Sequence, residues 1–335
     1  MRIAIVGTGK MARDLGAYYL GRGAELTVAG TDRERLDAAF AAASKTHRRL
    51  LRAVPDATEL PPPRRLLLCE GAPAEIDVAL ECTSEDRRVK RTVCAAAADL
   101  FAAARIVATN SSSLLPREVL PGCVGAHHFY PVALSGIAEI VADDETPGPT
   151  ADAMCAFAEA HGITPLRQSE RNAFAANRLL LPLQNEAFRL LRAGAPAPVV
   201  DALTVSSLLP VGQLALLDGV GLDVVRESVE NYASRMAPGA ALALEELRRG
   251  LDELARLGKR GRKNGDGLLA GSPLPWPTKG LDRAEELHRP RLLAVLCDSC
   301  RRMLDDGELG GDELRLVLTR AFGAEDGAFE SHFHR

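Results

Sequence analysis

The sequence predicts an α/β chain in which a doubly wound parallel sheet is followed by an all-helical half. Three observations carry this prediction. Short apolar runs alternate with helix-compatible stretches from Arg2 to about Val141. A glycine-rich turn stands directly behind the first run. From Asn172 onward strand signals vanish, and helical periodicity broken by glycine and proline takes over. A length of 335 residues allows two domains or slightly more, and 47% hydrophobic residues suffice for ample cores.

The first element is Arg2-Ile3-Ala4-Ile5-Val6, a buried-strand pattern that passes straight into Gly7-Thr8-Gly9-Lys10-Met11-Ala12. A helix-compatible stretch follows from Arg13 to Gly21, then a second strand from Leu26 to Ala29. Strand, glycine turn, helix and strand within about thirty residues is the setting that a dinucleotide fingerprint requires. Gly7 permits the turn, Gly9 lets the backbone approach a pyrophosphate, and Ala12 is small enough for helix and strand to pack. The helix N-terminus offers its unpaired N–H groups to the phosphates. The plain alternative is an ordinary tight turn between a strand and a helix. The first half is accordingly predicted to be a Rossmann-type NAD(P)-binding domain.

Residues 32–60 read as a helical insertion rich in alanine and arginine, closed by Pro61-Pro62-Pro63. Leu66-Leu67-Leu68 and Val78-Ala79-Leu80-Glu81 are the next strands. A helix is expected from about Glu85 to Ala104, then a strand from Arg105 to Thr109. Glu145 to Pro149 forms a loop, followed by a helix to His161-Gly162. The expected domains are residues 1–170, 171–270 and 271–335.

Between Val107 and Val141 three short apolar segments carry chemistry. The first ends in Asn110-Ser111-Ser112-Ser113, the second holds His127 and the third holds Glu139. A hydroxyl, an imidazole and a carboxylate are the parts of a proton-transfer site. His127 is the candidate general base, because imidazole titrates near neutrality. Glu139, accepting from the other ring nitrogen, would fix the tautomer and stabilise the imidazolium. His128 falls on the opposite face of a strand and is left out.

A net charge of −4 gives no general reason to expect nucleic acid. No run of eighteen apolar residues exists and no leader-like segment opens the chain, so a cytoplasmic protein without a membrane span is expected. The seven cysteines are scattered. Cys297 and Cys300 make one CxxC, no second pair completes a zinc site, and the spacing suits a helix face; no metal is expected.

The helical half contains a repeat. Leu179, Leu180, Leu183, Ala187, Leu190 and Leu191 make an apolar face, with Gly194 as a stop. An offset of 113 reproduces it as Leu292, Leu293, Leu296, Cys300, Met303 and Leu304, stopped by Gly307. Asn177 maps to Pro290, so the second copy is read as degenerate and structural.

These blocks together resemble the L-3-hydroxyacyl-CoA dehydrogenase family, in order from residue 3 to about residue 267. The matching segments are Ile5 to Ala12, Ala79 to Glu85 with Val89-Lys90, Thr109 to Leu114, Gly125 to Val132, and Ala138 to Val141. Asn177 to Pro182, Pro210 to Asp223 and Gly261 to Gly267 continue the series into the helical half.

The resemblance implies oxidation of a 3-hydroxyacyl thioester, with His127 as base, Glu139 as its orienting anion, and Ser112 and Asn177 on the substrate oxygens. It brings Gly7, Gly9, Lys10, Met11, Ala12, Glu85, Lys90, Asn110, Tyr130 and Lys263 to the cofactor. Lys45, Arg48 and Arg49 on the insertion are the candidates for the CoA moiety, against the alternative of a solvated helix face. The expected partner is a small acyl-CoA, with a place in fatty-acid β-oxidation. The extra repeat resembles the duplicated domain of longer members, so the assembly is a homodimer or a monomer with an internal pseudo-dimer surface.

Three departures from the family pattern stand out. Gly30 takes the place of the aspartate that usually holds the adenosine ribose, and Thr31, Asp32 and Arg33 follow it. NAD is expected, with NADP as the alternative because Arg33 and Arg35 suit a 2′-phosphate. Tyr130 stands where an asparagine is usual, and Asn172-Ala173 replaces a Pro-Gly pair. The acyl-CoA activity has two competitors: a dehydrogenase of a non-CoA 3-hydroxy acid, as in the related gulonate and carnitine enzymes, and a non-catalytic nucleotide-binding relative.

Overall fold

Eight strands form one sheet in the order β3-β2-β1-β4-β5-β6-β7-β8. The computed structural model describes residues 1–53, 61–71, 73, 75–205, 209–235, 243–270 and 281–326. The strands are β1 (Arg2–Val6), β2 (Glu25–Gly30), β3 (Arg64–Leu67), β4 (Ile76–Glu81), β5 (Ala104–Thr109), β6 (Val124–His128), β7 (Ile137–Ala142) and β8 (Thr164–Ser169). The apolar runs of β1, β2 and β4 are continuous because helices cover both faces of the sheet. Ile3, Ile5, Leu26 and Val28 enter one core, and Ala4, Val6 and Ala29 the other.

Helices α1 (Lys10–Leu20) and α2 (Arg33–Ala53) follow β1 and β2. The remainder of the long insertion, residues 54–60, lies outside the described residues. The helix expected from Glu85 to Ala104 is two, α3 (Arg87–Ala96) and α4 (Ala98–Ala102), and β5 already begins at Ala104. Asp86 starts α3 by accepting the N–H groups of Arg88 and Val89, which fixes the first turn two residues later than expected. Short helices α5 (Pro116–Val119) and α6 (Val132–Ser135) and the longer α7 (Gly148–Ala160) complete this unit.

The expected doubly wound parallel sheet is present, with one pair reversed. Strands β6 and β7 pair antiparallel, with His127 opposite Glu139, while every other neighbouring pair is parallel. The connection is too short for a crossover: α6 spans one turn, and Gly136 at φ 60° reverses the chain into β7. Strand β8 was not expected either. It pairs parallel to β7 at the sheet edge.

Internal contacts divide the chain into two compact units, Met1–Ala173 and Phe174–Arg335. The second comprises α8 (Ala175–Arg192), α9 (Ala197–Val205), α10 (Gln213–Val220), α11 (Leu222–Ala233), α12 (Glu245–Arg256), α13 (Leu281–Asp305) and α14 (Gly311–Leu316). Leu179, Leu183 and Ala187 of α8 are buried, as are their counterparts Leu292, Leu296 and Cys300 of α13, and α13 packs on α8 and α9. Cys297 and Cys300 lie buried in α13, and all seven thiols are free. Among the described residues no helix is long and apolar enough to cross a membrane.

Candidate active site

The glycine turn is built as its sequence requires. Gly7 sits at φ +144°, and a Cβ there would lie 2.3 Å from the Cys82 carbonyl oxygen at the end of β4. Its N–H donates to Ala29 O at 2.9 Å, closing the turn against β2. Gly9 precedes α1, and a Cβ on it would meet nothing within 4 Å. The helix N-terminus therefore faces open space with bare backbone, the cradle a pyrophosphate needs. Ala12 is buried against the sheet. The residues present fit a dinucleotide.

Lys10 begins α1 and reaches toward the loop after β6, with its ammonium 3.6 Å from the centroid of the Tyr130 ring. Asp14, one turn further along α1, accepts the N–H of Val132 at 2.8 Å. The cofactor turn and the loop carrying Tyr130 are thus tied together twice.

Strand pairing sets His127 opposite Glu139. His127 Nδ1 lies 2.7 Å from Glu139 Oε2, with the imidazole 7% exposed and the carboxylate fully buried. A carboxylate only accepts, so Nδ1 carries a hydrogen and donates it to Glu139. The other oxygen of Glu139 accepts from Gln168 Nε2 at 2.8 Å. Gln168 lies on β8, where it faces Val141, two residues from Glu139 and on the same side of the sheet. The sequence reading missed it because it missed the strand.

His128 is the structural histidine. Its Nδ1 donates to Ala126 O at 2.8 Å and to Asn110 Oδ1 at 2.9 Å, so Nε2 accepts the Tyr19 hydroxyl at 3.0 Å. Burial pushes its pKa down to about 4, which keeps the ring neutral. Asn110, expected at the cofactor, also accepts the His128 N–H at 3.0 Å and so pins β6 to the end of β5.

A second buried network lies at the ends of β4 and β5. Lys90, expected beside the nicotinamide ribose, is 1% exposed, with its ammonium 2.9 Å from Glu81 Oε2 and 3.5 Å from Glu85 Oε2. Glu81 also accepts the hydroxyls of Thr83 and Thr109. Glu85 Oε1 gathers Ser111 Oγ at 2.8 Å, Ser113 Oγ at 2.7 Å, Ser112 N at 2.9 Å and Ser112 Oγ at 3.2 Å. Burial would raise the Glu85 pKa, but Lys90 and the Ser113 and Ser111 hydroxyls outweigh it and hold the carboxyl below its ordinary range. The serine run is thus shaped by Glu85, and Ser112 makes the longest of the four contacts.

The remaining expected residues are dispersed. Asp32 Oδ1 accepts the Arg35 N–H at 2.8 Å, and Arg33 pairs with Glu70 at 3.0 Å. Thr31 and Asp32 are exposed beside Gly30. Lys45, Arg48 and Arg49 are exposed on α2 and form no ion pair among the described residues. Met11 is partly buried against the core of the sheet. Asn177 lies in the first turn of α8, and Lys263 pairs with Asp223 at 2.9 Å, both in the second unit. No cluster suited to a metal ion occurs among the described residues.

Comparison with known proteins places this geometry. The model of the 3-hydroxyacyl-CoA dehydrogenase NAD binding domain matches residues 2–171, and that of the 3-hydroxyacyl-CoA dehydrogenase C-terminal domain matches residues 174–270. A probable 3-hydroxyacyl-CoA dehydrogenase of Caenorhabditis elegans is 27% identical over 80% of this chain and 95% of its own length. The fatty acid oxidation complex subunit alpha of Vibrio campbellii is 32% identical over 58% of this chain, which spans only 28% of that longer relative. Among solved structures, 3-hydroxybutyryl-CoA dehydrogenase from Escherichia coli K12 matches with a TM-score of 0.75 at 17% identity, covering 100% of this chain and 91% of that one. FadB2 of M. tuberculosis matches with a TM-score of 0.64 at 25% identity, over 80% of this chain and 97% of that one. The chain belongs to the 3-hydroxyacyl-CoA dehydrogenase family and is an NAD-dependent oxidoreductase acting on a CH–OH group.

Proposed function

We propose that the protein interconverts an L-3-hydroxyacyl-CoA and its 3-keto form, with His127 as general base and acid and Glu139 as its orienting anion. The observation that carries this is the 2.7 Å contact between His127 Nδ1 and the buried Glu139 carboxylate. Bound NAD supplies the hydride acceptor for C3. His127 Nε2 takes the hydroxyl proton as the keto group forms, and the Glu139 carboxylate stabilises the imidazolium. Gln168 holds the second Glu139 oxygen, so the carboxylate cannot swing away. Ser112 and Asn177 are assigned to the substrate oxygens, where orientation can contribute several kcal/mol. Gly7, Gly9, Lys10, Met11, Ala12, Asn110 and Tyr130 are assigned to the cofactor side. Lys90 acts there through Glu85, since its own ammonium is enclosed. Lys263 is kept as a further cofactor contact, and Lys45 and Arg48 as contacts for CoA phosphates, on their charge alone.

A second substrate class is favoured by one observation. The Lys10 ammonium on the Tyr130 ring puts a cation beside the end of the strand that bears His127. If Lys10 faces the substrate instead of the cofactor, a 3-hydroxy acid with a free carboxylate would gain an ion pair there, where a neutral thioester carbonyl would gain only a hydrogen bond. Absorbance at 340 nm separates the two when acetoacetyl-CoA and a free 3-keto acid are each supplied with NADH. Turnover of the thioester supports the first reading. Turnover of the free acid alone replaces it with the second.

The oligomeric state follows from the repeat in this proposal. Helix α13 lays Leu292, Leu296 and Met303 against its own unit, so the chain is proposed to be a monomer that covers its dimer surface internally. Light scattering of the full chain decides this, since a mass twice that of the chain would contradict it.

A further inference from the structure

The end of β2 lacks the acid that normally reads the adenosine ribose, and the space around Gly30 is tight. A Cβ at Gly30 would stand 3.2 Å from the Thr8 methyl and 3.6 Å from Leu36 Cβ. A side chain at Gly30 would therefore need the Thr8 methyl to move by a few tenths of an ångström. Asp32, two residues on, accepts the Arg35 N–H at 2.8 Å, and its backbone carbonyl takes the Leu36 N–H. One oxygen of that carboxylate caps the start of α2.

A different carboxylate stands beside the same strand end. In the parallel pairing of β2 with β3, Gly30 lies opposite Leu67. Neighbouring strands are about 5 Å apart. Three residues beyond Leu67 the chain makes a tight helical turn, Leu68–Glu70, which brings Glu70 back over the end of β3. Glu70 Oε2 accepts the Leu67 N–H at 3.2 Å, and Glu70 Oε1 accepts from Arg33 at 3.0 Å. Both side chains are half exposed, Arg33 at 57% and Glu70 at 50%, so a ligand can reach them.

We infer that Glu70 supplies from β3 the ribose-binding carboxylate missing from β2, and that its pairing with Arg33 sets the preference for NAD over NADP. The ribose 2′- and 3′-hydroxyls are donors and a carboxylate is an acceptor, so they match. A 2′-phosphate carries negative charge and would be repelled by Glu70. Arg33 alone would welcome it, but its charge is already answered. The Leu67 N–H and the Arg33 guanidinium hold the carboxyl below its ordinary range, so Glu70 is ionised at neutral pH. The inference concerns the nucleotide site alone and does not depend on the chemistry proposed for His127.

Binding titrations followed by nicotinamide fluorescence test it on the full chain without any turnover. Wild type is expected to bind NADH at least tenfold more tightly than NADPH. Glu70→Gln should bring the two affinities within about threefold, by weakening NADH and strengthening NADPH. Adding Arg33→Ala to Glu70→Gln should remove the gain for NADPH. Because Glu70 is exposed, the variants are expected to keep the wild-type melting temperature, which is measured alongside. A ratio unchanged by Glu70→Gln would overturn the inference. So would a collapse of the ratio in Asp32→Asn with Glu70→Gln silent, which would return the ribose to Asp32.

Discussion

Gln168 Nε2 donates to Glu139 Oε1 at 2.8 Å, behind the carboxylate that holds His127. His127, the proposed base, thus ends a hydrogen-bonded chain of three residues on three adjacent strands. Removing the amide loosens the carboxylate without removing its charge. Gln168→Leu is expected to lower kcat roughly ten- to a hundred-and-fiftyfold, the rate equivalent of about 1.5–3 kcal/mol for a hydrogen bond to a charged group. NADH affinity should stay at the wild-type value. An unchanged kcat with a lowered melting temperature would make Gln168 only a packing residue.

Lys90 is enclosed by Glu81 and Glu85, and its removal strands two buried carboxylates. Breaking such a pair from one side costs about 3–5 kcal/mol. Lys90→Met should therefore shift the urea midpoint sharply downward. A midpoint close to wild type would mean that water or backbone groups replace the ammonium.

Gly7→Ala addresses the turn. The added methyl would sit 2.3 Å from the Cys82 carbonyl oxygen, at a φ of +144° that side chains rarely adopt. Strain of this kind costs about 1–3 kcal/mol before the clash is counted. Nucleotide binding should be lost and the melting temperature lowered. A variant that binds NADH with wild-type affinity would refute this account of the turn.

These three sites differ in how legible they were. The glycine turn announces itself, because Gly7, Gly9 and Ala12 each answer a local steric demand. His127 and Glu139 could be paired because each lies in or at the end of a short buried segment. Gln168 stayed hidden: Thr164-Pro165-Leu166-Arg167-Gln168-Ser169 is an edge strand with alternate residues exposed, and its proline and arginine mimic a loop. Lys90 lies in Arg87-Arg88-Val89-Lys90-Arg91, a run that looks solvated. Only the fold turns Lys90 inward against Glu81 while its neighbours face out. The antiparallel step from β6 to β7 depends on Gly136 reversing the chain, which no apolar pattern reports.

The pH dependence of stability should carry the signature of His128. Its folded pKa is lowered to about 4 from 6.5 by burial, so below pH 6.5 the unfolded chain binds a proton that the folded chain refuses. Stability then falls as the pH drops from 6.5 toward 4, by about 3 kcal/mol in all. His128→Gln should flatten the unfolding free energy across that window, whatever its effect at pH 7. An equally steep fall in the variant would place the titration elsewhere.

The most direct test of the proton-transfer site is a paired measurement on His127→Gln, with acetoacetyl-CoA reduction followed at 340 nm and NADH affinity by fluorescence. Loss of at least a thousandfold in kcat with NADH affinity within twofold of wild type is the expected result. A variant that still turns over within tenfold of wild type, or that loses cofactor binding in the same proportion, would contradict the assignment of His127 as the base.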